Sequence, residues 1–279
     1  MAASPIDRVL ALVRCCHPEP TAAVTSLTTA LAVSAGRGWG SVYVAAAVLS
    51  GQLSVGWAND YIDRDRDRAA GRMEKPIAAG RIGATTVRNG AIVALALAVP
   101  LSLLSGPAAA AVHLAAIGLA HAYNLWLKST VLSVVPYALA FAMLPIFVTL
   151  GLGASAHVPA PWIIAAAGLI GAAAHFTQVL PDLGTDVGVG VRGLPQRLGY
   201  SGSVAAAAIL LVVGALTAAF GAGRVPEWPA LGALALTLGA VTALVAAGVM
   251  RRATTTFHLT IAAAVGALAT FLLSGRGLL

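Results

Sequence analysis

The chain has 279 residues, of which 59% are hydrophobic and only 10% are charged. Ordinary soluble domains carry roughly 25% charged residues, so this sequence cannot cover the surface of a soluble globule. The net charge of +7 and the pI near 10.1 would suggest a nucleic-acid partner for a soluble protein. In a membrane protein, basic residues first report orientation, and we expect no nucleic-acid partner.

Apolar segments close to the ~20 residues that cross a bilayer recur along the whole sequence. Their approximate bounds are 21–36, 38–61, 87–105, 107–127, 129–152, 160–181, 201–221, 229–250 and 254–274. The sequence therefore predicts an all-α, polytopic transmembrane helical bundle of about nine spans, forming a single domain over residues 1–279.

The first span has charged residues before it and further apolar segments after it, which argues against a cleaved signal peptide. We expect the segment from Ile6 to Cys16 to extend this span. The only cysteines, Cys15 and Cys16, are adjacent, a spacing that fits neither a disulfide framework nor a metal site.

Basic residues are distributed unevenly between the two sides of a nine-span bundle. Three fall on the side opposite the N-terminus: Arg37, Arg224 and Arg276. The other fourteen of the seventeen are Arg8, Arg14, Arg64, Arg66, Arg68, Arg72, Lys75, Arg81, Arg88, Lys128, Arg192, Arg197, Arg251 and Arg252. The positive-inside rule then predicts a cytoplasmic N-terminus, a cytoplasmic loop after the second span and an external C-terminus.

Six of the ten acidic residues lie in two clusters, after the second and sixth spans: Asp60, Asp63, Asp65, Asp67, Asp182 and Asp186. At about 100° per residue, Asp60, Asp63 and Asp67 share one helix face while Asp65 points away. Asp182 and Asp186 are one helical turn apart. Each cluster can therefore present carboxylates in one direction, and together they would form a concentrated negative site.

Carboxylates held so close repel each other and require a cation. Hard oxygen ligands favour Mg²⁺, which usually keeps waters and binds substrate phosphates besides a few carboxylates. The basic residues nearby, which would bind a diphosphate, are Arg64, Arg66, Arg68, Arg72, Lys75, Arg192 and Arg197. The alternative interpretation is a solvated loop whose ion pairs serve only as a topology signal.

Four segments carry a resemblance to a known family. Residues 59–67 read NDYIDRDRD and fit NDxxDxxxD, and residues 72–80 read RMEKPIAAG. Residues 182–186 read DLGTD and fit DxxxD, and residues 193–199 read GLPQRLG. In this order and at these span ends, they resemble the motifs of the UbiA-type intramembrane prenyltransferase superfamily across nearly the whole chain.

The resemblance implies a nine-helix bundle around a lipid-accessible cavity, capped on the cytoplasmic side by two Asp-bearing loops where Mg²⁺ holds a prenyl diphosphate. The residues implied as catalytic and metal-binding are Asp60, Asp63, Asp67, Asp182 and Asp186. Those expected to bind diphosphate are Asn59, Arg72, Lys75, Lys128 and Arg192. The sequence departs from the family in two places: Asn124 rather than Tyr123 is the residue four before Lys128, and Gly193 replaces a usual Thr.

The expected reaction is ionisation of the allylic diphosphate, with Mg²⁺ and the basic residues neutralising the leaving group. Aromatic rings would stabilise the cation in an apolar cavity, and the candidate rings are Tyr61, Tyr137, Phe141 and Phe176. The prenyl group would pass to a hydrophobic acceptor, aromatic or lipid, with the membrane lipid as a further partner. Arg14 or Arg72 would suit an acceptor carboxylate, and no role is assigned to His17, His113, His121 or His175.

Three other functions compete with prenyl transfer. A UbiA-type terpene cyclase would ionise the same diphosphate without an acceptor. A CDP-alcohol phosphotransferase would need its acidic motif in one segment, an arrangement that this chain lacks. A secondary transporter would place acids near the membrane midplane, whereas these acids follow the ends of spans.

Overall fold

The computed structural model describes residues 4–274 and contains eleven α-helices and no β-strand within that range. The helices are α1 (Pro5–Cys15), α2 (Pro18–Ser34), α3 (Gly40–Ala69), α4 (Ala84–Leu103), α5 (Pro107–Leu125), α6 (Val134–Leu150), α7 (Pro161–Gln178), α8 (Leu183–Gly188), α9 (Leu194–Phe220), α10 (Trp228–Val249) and α11 (Ala253–Leu273). Short 3₁₀ turns flank α6. The C-terminus and Arg276, whose external placement the sequence predicts, lie outside the described residues.

Each of the nine predicted spans corresponds to one long helix, which confirms the all-α, multi-pass membrane architecture. Seven of these helices are long and apolar enough to cross a membrane: α3, α4, α5, α9, α10, α11, and α6 taken together with the 3₁₀ turn before it as Val131–Leu150. The other two, α2 and α7, have 17 and 18 residues, and α7 carries polar His175 and Gln178 in its last turn. The count of nine spans is therefore approximate.

The nine long helices form a closed ring. Helices that follow one another in sequence pack side by side, α9 packs against α7 across the short α8, and α11 contacts α2 to complete the circuit. Many core positions are alanine, including Ala47, Ala98, Ala173 and Ala263. Small residues let helix backbones approach closely in a bilayer, so the packing leaves larger side chains to line the interior of the ring.

The predicted extension of the first span by residues 6–16 is wrong. The first helix ends at Cys15, so α1 is a separate helix of 11 residues. It is ~16 Å long and too short to cross a membrane. Pro18 begins α2 because proline lacks the amide proton that a continuous helix would need. Ser4 and Asp7 cap α1 reciprocally, and the Trp57 indole donates to the Leu12 carbonyl at 2.9 Å, fixing α1 against α3.

Helix α3 extends eight residues beyond the predicted end of the second span at residue 61. It has 30 residues and ends at Ala69, so the first acidic cluster lies on a regular helix. The second acidic cluster lies at α8, a helix of six residues between α7 and α9: Asp182 directly precedes this helix and Asp186 is within it. Both clusters are thereby brought to one end of the ring.

Candidate active site

The first acidic cluster presents three carboxylates on one face of α3. Asp60 and Asp67 are buried, and the Asp63 side chain is 17% exposed. Asp65 points away with 68% of its side chain exposed, and it pairs only with Arg64 and Arg68. The predicted division of the aspartates between two helix faces is confirmed, because α3 stays helical through the motif.

The second cluster meets the first at the same site. Asp186 is held by Gln196 at the start of α9, whose amide donates to it at 3.0 Å. Burial and, after it, the neighbouring charge of Asp182 raise the pKa of Asp186 to about 6, against the opposing effects of Arg72 and Gln196. A cation at this position would therefore favour the ionised form of Asp186.

Arg72 joins the two clusters. Its guanidinium donates to Asp67 at 3.0 Å, forms an ion pair with Asp182 and lies 4.0 Å from Asp186. Burial alone lowers the pKa of Arg72, but the surrounding carboxylates outweigh that effect and raise it above its usual value. Arg72 is thus a fixed positive charge between carboxylates of α3 and α8.

Lys75 and His17 surround the deepest carboxylate. Lys75 donates to Asp60 Oδ1 at 2.8 Å, and His17 Nε2 lies 3.1 Å from the same oxygen. Burial lowers the pKa of Lys75, but Asp60 and Asp67 raise it by more, so the net shift is upward. His17 has a left-handed backbone, with φ of 54°, which is uncommon for a residue other than glycine and turns the chain so that the imidazole reaches the site.

Asp63 contacts a residue of the turn after α5 as well as residues of its own helix. Lys128, in the turn after α5, forms an ion pair with Asp63, and Arg66 donates to it at 2.7 Å. The Asn59 amide donates to Asp63 at 3.3 Å and to Asn124 at 3.1 Å. Burial lowers the pKa of Lys128, partly offset by Asp63.

A cavity of about 270 Å³ lies directly below these charged groups. Twelve charged or amide-bearing residues of the site form its upper lining: His17, Asn59, Asp63, Arg66, Asp67, Arg72, Lys75, Asn124, Lys128, Asp182, Asp186 and Gln196. Asp60 and Asp65 are not part of this lining. The lower lining is mostly apolar and comes from α2, α3, α5, α6, α7 and α11. A charged mouth thus opens onto an apolar interior.

Aromatic side chains lie just below the mouth. Tyr123 and Tyr137 line the cavity with ring centroids 5.1 Å apart, edge to face, and His175 packs against both rings. The Tyr137 hydroxyl donates to Gln178 at 3.1 Å. Tyr123 therefore belongs to the cavity wall, although it is one residue away from the family's expected spacing to Lys128.

Several predicted residues lie elsewhere. Arg192 is exposed and absent from the cavity wall, because the extended segment 191–193 buries Val191 and Gly193 and turns Arg192 outward.

Tyr61 lies under the Arg64 guanidinium, and Phe176 packs in an apolar cluster with Leu211 and Leu244. Of the four proposed rings, Tyr137 and Phe141 line the cavity. Arg14 is exposed, so it gives no support to an acceptor site.

Three contacts at the site were not predicted as functional: His17, Asn124 and Gln196. Gln196 lies inside the motif segment 193–199 and Asn124 lies four residues before Lys128, and their amide side chains are the available signal. His17 directly precedes α2 and is separated from its partner Asp60 by 43 residues in the sequence. Only the three-dimensional packing of α1, α2 and α3 therefore brings it to the site.

The site fits a magnesium ion that is shared with a substrate. Within residues 4–274, no three acidic, histidine or cysteine side chains are close enough to hold a metal by themselves. Mg²⁺ typically takes only one or two carboxylates and completes its shell with waters and substrate phosphates. Asp60 Oδ2 is buried without a hydrogen-bond partner, which leaves an oxygen available at the base of the first cluster.

The sequence model of the UbiA prenyltransferase family matches residues 21–262, a range that contains both acidic clusters and seven of the nine long helices in full. The chain belongs to the UbiA prenyltransferase family. It is therefore a multi-pass membrane enzyme of the prenyltransferase class.

Solved structures of UbiA relatives have the same fold. The apo structure of a UbiA homologue from Aeropyrum pernix K1 matches with a TM-score of 0.72 and 19% identity, over 92% of this chain and 98% of that chain. A homologue from Archaeoglobus fulgidus bound to GPP and Mg²⁺ matches with a TM-score of 0.65 and 17% identity, over 92% and 99% of the two chains.

A digeranylgeranylglyceryl phosphate synthase matches with a TM-score of 0.60 and 16% identity, over 94% of this chain and 99% of that chain. At these identities, the structural comparisons establish the fold alone. No curated protein sequence is significantly similar to this chain.

Proposed function

We propose that this UbiA-family protein binds an isoprenoid diphosphate through Mg²⁺ at the two acidic clusters and transfers the prenyl group to a hydrophobic acceptor. The observation that carries the proposal is the convergence of α3 and α8 on Arg72, which contacts Asp67 and Asp182 directly above an apolar cavity. A charged mouth over an apolar interior suits a substrate with a charged head and a hydrocarbon tail.

The metal ligands in this proposal are Asp60, Asp63, Asp67, Asp182 and Asp186. Support comes from the unpartnered oxygen of Asp60 and from the related Archaeoglobus fulgidus protein, which was solved with GPP and Mg²⁺. When bound, Mg²⁺ would supply positive charge that offsets the charge developing on the leaving diphosphate.

The basic residues would bind the diphosphate directly. Arg72, Lys75 and Lys128 now neutralise Asp182, Asp60 and Asp63 respectively. If a cation takes over that neutralisation, their N–H groups become available to phosphate oxygens, for which arginine offers a planar two-pronged donor. Asn59, fixed by Asn124, would orient Asp63. Arg192 has no place in this set.

The cavity walls would protect the reacting carbon from water. The rings of Tyr123, Tyr137 and Phe141 line the space below the mouth, and aromatic faces stabilise a nearby positive charge by ~0.5–2 kcal/mol. The apolar wall excludes water, which would otherwise capture the allylic cation before an acceptor does.

The residues that line the cavity bear on the identity of the acceptor. Among the residues that line the cavity, all the lysines and arginines lie at the charged mouth. This distribution favours a hydrophobic or lipid acceptor that enters from the membrane. A terpene cyclase would share every feature of the diphosphate site, so the two reactions differ only in whether an acceptor is required.

The test is incubation of the purified protein in liposomes with Mg²⁺ and allylic diphosphates of several lengths, with and without a cell lipid extract, followed by mass spectrometry. We expect prenylated products only when the extract is present. Release of diphosphate with cyclic hydrocarbon products in the absence of extract would identify a cyclase, and intact substrates in every sample would refute the proposal.

A further inference from the structure

A second cavity continues the first, away from the acidic clusters. It has a volume of about 110 Å³. The two cavities share six lining residues, which are Val24, Leu27, Phe141, Leu144, Ile170 and Ala264. Since both cavities touch the same side chains, they are two compartments of one elongated space, which we call the upper and lower compartments.

The lower compartment has no charged residue in its wall. Its further lining consists of Thr28, Leu31, Pro145, Trp162, Ile163, Ala166, Ala167, Ala218, Ala267, Leu268 and Phe271. Thr28, the one polar member, donates its hydroxyl to the Val24 carbonyl at 2.8 Å. The compartment is thus suited to hydrocarbon, and an acceptor with polar groups would find no partner there.

Bulky side chains close the far end. Trp162 lies at the start of α7 and packs against Phe271 with ring centroids 5.8 Å apart, while Leu31 is buried beside them. Trp162 also fills the space against Gly221, where an added Cβ would lie 2.6 Å from the indole. This packing fixes the floor of the lower compartment.

Phe141 marks the boundary between the compartments. Its ring packs against Gly171, where an added Cβ would overlap the ring and would also lie 2.7 Å from the Tyr137 carbonyl. The glycine therefore lets the ring lie flat against α7. In that position Phe141 narrows the cavity but leaves both compartments accessible to the same chain.

The depth of the cavity can be measured along α2. His17, which contacts Asp60, is ten residues before Leu27 at the boundary and fourteen residues before Leu31 at the floor. These separations correspond to ~15 Å and ~21 Å along the helix axis. An isoprene unit adds four chain carbons, and at ~1.5 Å per bond with tetrahedral angles it spans ~5 Å. The upper compartment matches three isoprene units, and the two compartments together match four.

We propose that the lower compartment binds the fourth isoprene unit of a geranylgeranyl chain and sets the upper limit of prenyl chain length. The proposal rests on the proposed function, because it places the diphosphate at the acidic clusters. It assigns specificity to side chains far from the charged mouth, chiefly the alanines that leave the lower compartment open.

Ala167 allows a test that leaves the diphosphate site untouched. It lines only the lower compartment and is partly exposed to it, so a larger side chain would enter empty space rather than packed atoms. Ala165, two residues earlier on the same helix, is exposed and absent from both walls. Ala167→Leu and Ala165→Leu therefore add the same atoms on opposite sides of α7.

The experiment measures diphosphate release and kcat/KM with geranyl, farnesyl and geranylgeranyl diphosphates. We expect the parent and Ala165→Leu proteins to prefer geranylgeranyl diphosphate, and Ala167→Leu to lose at least ~10-fold with that substrate while retaining turnover of the two shorter ones. Ala167→Val, with a smaller side chain, should give an intermediate loss.

Retained turnover of the short substrates shows that Ala167→Leu is folded. The inference would be overturned if Ala167→Leu had the same kcat/KM as Ala165→Leu with each of the three diphosphates, because the end of the tail would then lie outside the lower compartment. No turnover of any prenyl diphosphate by the parent protein would instead refute the proposed function.

Discussion

Two aspartates of the first acidic motif have the same chemistry but different surroundings. Asp63 and Asp65 are two residues apart on α3, yet Asp63 contacts Lys128 and Arg66 at the cavity mouth while Asp65 is 68% exposed. A solvent-exposed ion pair contributes only ~0–1 kcal/mol. Helical geometry alone therefore separates a carboxylate that faces the cavity from one that faces solvent.

Asp63→Asn and Asp65→Asn make a matched pair for this distinction, because both keep the shape of the side chain. We expect Asp63→Asn to lower the rate of diphosphate release by at least ~100-fold, since it removes a carboxylate that we propose binds the metal. Asp65→Asn should stay within about twofold of the parent, as only an exposed ion pair is lost. Comparable, severe losses in both proteins would contradict the assignment of helix faces.

Arg72 should depend on the shape of its head group as well as on its charge. Arg72→Lys keeps the positive charge but cannot reach Asp67 and Asp182 together with a planar fork, so we expect turnover to fall by at least ~10-fold. Arg68→Lys is the control, because the Arg68 side chain is 60% exposed and pairs with the exposed Asp65 rather than with a residue of the cavity mouth. Full activity of purified Arg72→Lys would argue against the bridging role.

At the scale of elements, the start of α9 is placed by Gly193. An added Cβ there would overlap the Lys128 carbonyl and would lie 3.0 Å from Ser133 Oγ. The Ser133 hydroxyl in turn accepts the Leu194 amide at 2.9 Å. The replacement of the family's usual Thr by Gly193 thus has a structural reason in this chain, since the turn that carries Lys128 packs directly against α9.

Gly193→Ala should therefore disturb the site through two elements at once, by moving Lys128 away from Asp63 or Gln196 away from Asp186. We expect a raised KM for the prenyl diphosphate and a lower melting temperature. Gly184→Ala is the matched control, because Gly184 lies between Asp182 and Asp186 with no atom within 4 Å of an added Cβ. Unchanged kinetics in Gly193→Ala would show that the contact has no role in positioning Lys128.

The sequence was informative about elements wherever a local pattern decides the structure. Hydrophobic runs predict all nine long helices, and helical periodicity predicts the inward face of Asp60, Asp63 and Asp67. Predictions from the sequence failed where tertiary packing decides the structure. Pro18 starts a new helix within the expected extended first span, and the extended segment before α9 turns Arg192 outward. His17 and Gln196 reach the site only because distant segments meet, which no spacing rule reveals.

At the scale of the whole molecule, orientation in the membrane remains a prediction from the distribution of basic residues. Met73, in the loop after α3, and Val225, in the loop before α10, are 59% and 80% exposed. The native cysteines are buried, so single cysteines at these positions should dominate labelling by a membrane-impermeant maleimide. We expect Val225→Cys to react in intact cells and Met73→Cys to react only after permeabilisation; the reverse pattern would invert the topology.

The closed ring of helices places one charged mouth over one elongated apolar cavity, and the central claim is that the mouth binds a diphosphate through Mg²⁺. The most direct measurement is the equilibrium affinity of the purified protein for a non-ionising thiolo analogue of a prenyl diphosphate, in Mg²⁺ and in EDTA. We predict binding in Mg²⁺ that weakens by at least ~100-fold in EDTA and, in Mg²⁺, by a similar factor in a variant that combines Asp67→Asn with Asp182→Asn. Equal affinity in Mg²⁺ and EDTA, or unimpaired binding by that variant, would contradict the account.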